Sequence, residues 1–133
     1  MRYKYIAYKY ARKGRSEIAF QGAWESFGAW PQPSAMVWRP PTDVYETQDE
    51  LAVIVELAGV PEDDMAVTLF SDLLVIEGRR KQPPCAKMNA CHQLGIKYGD
   101  FRSEVHIPFP VDSENVDAEY KNGLLRVVLR KLR

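Results

Sequence analysis

The residues most able to do chemistry are two thiols and two imidazoles: Cys85, Cys91, His92 and His106. That donor set suits zinc. Structural zinc sites, however, present their ligands in close pairs such as C-x-x-C, and no such pair exists here. No metal is therefore expected. Cys85 and Cys91 could join under oxidation if their Cα atoms came within about 7 Å; otherwise they are ordinary thiols on a connecting loop. No serine, cysteine or threonine stands in a pattern with a base, so no nucleophile is identified. Gly59 and Gly123 read as turn glycines, and no glycine-rich loop opens a helix as a phosphate cradle does. Asp63 and Asp64 are adjacent carboxylates in a solvated loop. The chain is read as a non-enzyme without cofactor or ATP site.

The elements that carry these residues are strands. Asn122-Gly123 is a strong hairpin signal, because both central residues of a type I′ turn need positive φ. Val116, Ala118 and Tyr120 alternate with polar residues before it, and Leu125, Val127 and Leu129 define one face after it. Two antiparallel strands sharing a buried face are predicted, with 124–130 central in its sheet. Upstream, Leu51, Val53, Val55 and Leu57 alternate in a strand, and Ala58-Gly59-Val60-Pro61 turns the chain. Met65, Val67 and Leu69 form the next apolar face, Ser71-Asp72 a tight turn, and Leu74, Val75 and Ile76 the return strand. Residues 79–99 form a long connection of a length that usually has a purpose. Phe101, Val105 and Ile107 continue as a strand to Pro108. Val44 lies in a short strand that the prolines before it confine to a sheet edge. Some seven short strands separated by turns predict an all-β, immunoglobulin-like sandwich.

The N-terminal third differs. Residues 1–40 hold seven Lys/Arg against two acidic residues, and residues 41–133 hold eleven against sixteen, so +5 faces −5. Tyr3, Ile6, Ala7 and Tyr10 fall on one face of a helix that Gly14 would stop, while Tyr3 and Tyr5 alternate as in a strand. Bases mixed with aromatics can bind nucleic acid. Without a matching basic domain no nucleic acid is expected, and the bases suit the acidic domain of a second copy. Ile18, Phe20, Trp24, Phe27 and Trp30 follow, with Phe20, Trp24 and Phe27 spaced for a short helix that Pro31 and Pro33 end. Exposed aromatic surface of this kind marks interaction sites. No apolar run approaches the roughly 18 residues of a membrane span, and the basic N-terminus lacks the apolar h-region of a secretory signal. No transmembrane segment and a cytoplasmic location are expected.

Several segments resemble, in order, those of the small heat-shock proteins of bacterial type. Trp38-Arg39-Pro40-Pro41-Thr42-Asp43-Val44-Tyr45-Glu46 resembles the start of their α-crystallin domain. Leu57-Ala58-Gly59-Val60, Leu74-Val75-Ile76-Glu77-Gly78 and Tyr98-Gly99-Asp100-Phe101 are similar to further family segments. Ala118, Gly123 and Leu125 resemble the A-x-x-x-x-G-x-L signature. The resemblance covers about residues 38–130. It implies an α-crystallin domain at 38–133 behind an irregular, partly helical arm at 1–37. It implies an ATP-independent holdase that binds unfolded or partly unfolded client proteins, with a dedicated co-chaperone or adaptor as the alternative. It further implies a homodimer in which His92, Gln93, Leu94, Gly95 and Ile96 exchange with a partner subunit, extending to a larger homo-oligomer. An edge groove made by Val67, Leu69, Val116 and Ala118 would receive a tail from another subunit. Ile18, Phe20, Trp24, Phe27 and Trp30 would contact clients or sister subunits. Two departures stand out: Ser103 occupies a position where the family has arginine, and Gly95-Ile96 replaces Glu-Arg. The family's I-x-I/V tail does not follow Arg130, so the C-terminal extension is expected to be minimal or absent.

Overall fold

Asn122 and Gly123 both take positive φ, 53° and 79°, and reverse the chain as a type I′ turn requires. In this computed structural model, which describes residues 7–11, 37–84 and 89–132, the turn joins the last two of eight strands. In order these are β1 (Ala7–Ala11), β2 (Thr42–Glu46), β3 (Glu50–Glu56), β4 (Met65–Phe70), β5 (Leu73–Arg80), β6 (Gly99–His106), β7 (Asp117–Lys121) and β8 (Leu124–Arg130). The only helical piece among the described residues is a 3-10 turn at Glu62–Asp64. The strands form two four-stranded sheets, β1-β4-β5-β6 and β2-β3-β8-β7. The expected sandwich is present, and β8 lies centrally between β3 and β7.

Alternation decides which side chains meet between the sheets. Leu51, Val53 and Val55 from β3 face Val67 and Leu69 from β4, Leu74 and Ile76 from β5, and Leu125, Val127 and Leu129 from β8. Most of these are fully excluded from solvent. Each such side chain contributes about 1.5–3 kcal/mol by leaving water, so the two sheets hold together through this one layer. The β3–β4 connection is tied in by Leu57 and Val60, both buried.

At residues 7–11 a strand forms where Tyr3, Ile6, Ala7 and Tyr10 suggest a helix. β1 runs parallel to β4, in register from Ala7 opposite Ala66 to Ala11 opposite Phe70. A short isolated helix gains too few hydrogen bonds to offset its nucleation. The edge of β4 instead offers a row of unpaired backbone groups. The residues before Ala7, and the helix expected at Phe20, Trp24 and Phe27, lie outside the described residues.

Candidate interaction site

The signature hairpin is a fastening. The Leu57 backbone N–H donates to the Gly123 carbonyl at 2.7 Å. The Tyr120 hydroxyl donates to the Leu57 carbonyl, also at 2.7 Å. A Cβ on Gly123 would stand 2.9 Å from the Ala58 Cβ, so glycine is required here both by φ and by space. Leu125 is fully buried, and Ala118 and Tyr120 pack against the core from β7. Ala118, Gly123 and Leu125 thus lock the β7–β8 hairpin to the β3–β4 loop.

Val67 and Leu69 point inward from β4 and are fully buried. Val116 and Ala118 are half-buried against the same core cluster. The four residues named for an edge groove therefore border one apolar layer, and the β4 edge beside them carries β1.

Among the described residues, the opposite end of the second sheet is open. β2 is its edge strand, with Val44 46% and Tyr45 56% exposed. Residues 92–96 form no strand within the single chain; Leu94 is 77% and Ile96 65% exposed. Apolar side chains so far out of the core lack an intrachain reason to be there.

The loop's return is anchored by a residue that sequence reading missed. Arg80 donates through Nε to the Lys97 carbonyl at 2.9 Å and through a terminal nitrogen to the Ala58 carbonyl at 3.2 Å. Its guanidinium lies 4.6 Å from the Trp38 ring centroid and 5.7 Å from that of Tyr98, within cation–π range. Trp38 itself donates from the indole to the Gly99 carbonyl at 3.3 Å. Trp38, Pro41, Arg80, Ile96 and Tyr98 line an open cleft of about 670 Å³ between the β3–β4 loop and residues 95–98. The available signal was an arginine ending a strand, with aromatic residues at both ends of the expected domain start and loop.

Ser103, where the resemblance leads one to expect arginine, is fully buried between the sheets. Thr42 donates to the Pro40 carbonyl at 2.9 Å, so the 2.8 Å contact between the two hydroxyls has Ser103 donating to Thr42. Arg102 lies on the other face of β6, with a guanidinium nitrogen 2.6 Å from Glu104. Beside it, Glu77 is held above the ordinary carboxylate range by burial, against the opposing pull of Arg102 and with help from Glu104. Burial likewise raises Asp100, opposed by Arg79. A carboxyl with a raised pKa in the folded state keeps a proton that the unfolded chain has released. Stability therefore falls as pH rises from the ordinary carboxylate value through the raised one. In Glu77→Gln the fall in urea midpoint between about pH 4 and about pH 7 should shrink; an unchanged fall would show that Glu77 titrates normally.

Among the described residues no group of three or more His, Cys, Asp or Glu is placed to hold a metal ion. Cys91 is free and exposed, and Cys85 lies outside the described residues. Ile18, Phe20, Trp24, Phe27 and Trp30 lie outside them too. No helix among the described residues is long and apolar enough to cross a membrane.

Comparison with known proteins bears on this arrangement. Residues 43–133 match the Hsp20/alpha crystallin family. The chain is 34% identical over 92 residues to small heat shock protein C4 of Rickettsia felis, covering 69% of this chain and 56% of that protein. It is 32% identical over 99 residues to spore protein SP21 of Stigmatella aurantiaca, covering 74% and 57%. Among solved structures it is similar to heat shock protein 16.0 from Schizosaccharomyces pombe, with a TM-score of 0.66 at 31% identity, over 71% of this chain and 88% of that one. The matches thus span little more than half the length of the two bacterial relatives.

Proposed function

The chain belongs to the Hsp20/alpha crystallin family, and from that premise we propose that it is an ATP-independent holding chaperone, active as an assembly of copies. The observation that carries the reading is the open β2 edge together with the exposed Leu94 and Ile96. An unpaired edge and an extended apolar segment are complementary. An edge strand gains a neighbour through backbone hydrogen bonds, and alternate side chains of the added strand find apolar cover. In this proposal residues 92–96 of one copy add to β2 of another, and the reciprocal exchange closes a homodimer. Larger assembly follows where a segment of a further copy replaces β1 on the β4 edge, beside the apolar border of Val67, Leu69, Val116 and Ala118.

Holding non-native proteins needs apolar surface on a soluble carrier. Unfolding proteins expose apolar side chains and strand edges. In our reading residues 1–37 are an arm whose Ile18, Phe20, Trp24, Phe27 and Trp30 meet that surface, on an α-crystallin domain at 38–133. Several arms on one assembly act together, so each contact can be weak. The protein works in the cytoplasm, without catalysis or cofactor. The test is light scattering from an unrelated enzyme heated without nucleotide. The full chain should suppress it, and a chain lacking residues 1–37 should suppress it less. Unaltered scattering with the full chain at any ratio would overturn the holding reading and favour an adaptor for one folded partner.

A further inference from the structure

Alternation along β5 puts Leu74, Ile76, Gly78 and Arg80 on the inward face. The first three are buried, and Arg80 is half-buried where the core ends. A cation at an inward position needs acceptors at the mouth of the apolar layer. Arg80 has them: it donates to the Ala58 carbonyl, in the loop after β3, and to the Lys97 carbonyl on the return to β6. Its guanidinium lies over the rings of Trp38 and Tyr98. Trp38 is itself fixed, its N–H donating to the Asp100 carbonyl and its carbonyl accepting from the Arg102 N–H. Lys97 is thus tied through one side chain to backbone of both sheets.

That tie is the last hold before an exposed run. Arg80 and Gly99 stand opposite each other at the end of the β5–β6 ladder, so Arg80 sits where the connection both leaves and returns. Residues 89–97 are all exposed, and Tyr98 is the first half-buried residue on the return. Among the described residues, the Arg80 bond to the Lys97 carbonyl is the only hydrogen bond that residues 89–97 make. Ile96, 65% exposed, directly precedes the pinned residue, and Leu94, 77% exposed, follows on the same alternation. The open cleft of about 670 Å³ beside residues 95–98 shows that they stand off their own domain rather than pack on it.

We propose that Arg80 is a positioning residue for the association of copies: by holding the Lys97 carbonyl it fixes the point and the direction from which residues 92–96 leave their domain for β2 of another copy. This role rests on the exchange of residues 92–96 proposed for the homodimer. A segment already aimed loses less freedom on binding, and each further residue that must be ordered at that step weakens association about tenfold. The effect falls on the rate of association, because only the aimed fraction of free copies is competent to bind. The contacts of the formed dimer stay the same. Lysine cannot take over this role. It keeps the charge, but its ammonium lacks the planar fork that reaches two carbonyls and stacks on two rings.

Arg80→Lys and Arg80→Gln in the full chain test it. Sedimentation over a range of concentrations gives the dissociation constant. Mixing copies of normal and heavy nitrogen, read by intact mass, gives the rate at which associated copies come apart. Both variants are expected to raise the dissociation constant at least about tenfold, with the exchange rate within about twofold of the parent and the sandwich retained by circular dichroism. An unchanged or lower dissociation constant in a folded Arg80→Lys chain would overturn the proposal. So would a rise accounted for entirely by faster exchange, which would make Arg80 a support of the interface itself. Leu94→Asp with Ile96→Asp, run beside them, separates the two levels. If that variant dissociates and the Arg80 variants do not, only the positioning role fails. If it associates like the parent, the exchange of residues 92–96 fails and the positioning role with it.

Discussion

Replacing Gly78 with alanine should cost about 3 kcal/mol of folding stability, the upper end of what overpacking a filled core costs. Gly78 lies on β5 between Met65 of β4 and Phe101 of β6. A Cβ there would collide with the Asp64 carbonyl oxygen and stand 2.7 Å from Phe101 Cζ and 2.9 Å from Met65 Cα. Two of these three neighbours are backbone, held by the Asp64 N–H to Pro61 carbonyl bond of the 3-10 turn and by the β4–β5 ladder. The β3–β4 turn would have to leave the sheet. Adding Phe101→Leu should recover only a minor part of the loss, because the collision with Asp64 remains. Urea midpoints of the single and double variants measure both terms. A Gly78→Ala midpoint close to that of the parent would mean that the turn does not sit against β5.

The second large effect is on assembly. Leu94→Asp with Ile96→Asp should leave the fold intact and weaken copy–copy association at least about a hundredfold. The two side chains are 77% and 65% exposed in the single chain, so surface substitution there changes folding by only a few tenths of a kcal/mol. If both are covered when residues 92–96 join β2 of another copy, their loss removes about 3 kcal/mol or more. That is about two powers of ten in dissociation constant, before the charges are counted. Sedimentation of parent and variant at tens of micromolar, with circular dichroism to confirm the fold, separates the two effects. A variant with the parent's mass would remove residues 92–96 from the interface.

Much of this fold is legible residue by residue. Asn122-Gly123 specifies its turn through φ alone, and the alternation of Leu51, Val53 and Val55 names the core face of β3 without tertiary information. Gly78 was visible as part of a family-like segment, but its reason is the carbonyl of Asp64 fourteen positions away, which no local pattern contains. Residues 7–11 support either period, and the open edge of β4 decides for the strand. Ser103 reads as a departure, whereas its surroundings make it a buried donor to Thr42. Leu94 and Ile96 are singled out in the sequence only by the family resemblance, since their own pattern is that of any apolar loop residues and their exposure is visible only once the core excludes them. Arg80 escaped notice because its partners, Trp38, Ala58 and Lys97, are brought together only by the sandwich.

The most direct test of the central claim is to look for the held client itself. An aggregating enzyme is heated with the full chain in the absence of nucleotide, the mixture is centrifuged, and the supernatant is passed over a sizing column. The account predicts that the enzyme stays soluble and elutes with this protein in one early peak. An enzyme found entirely in the pellet, with the chain eluting at its unheated position, would contradict it.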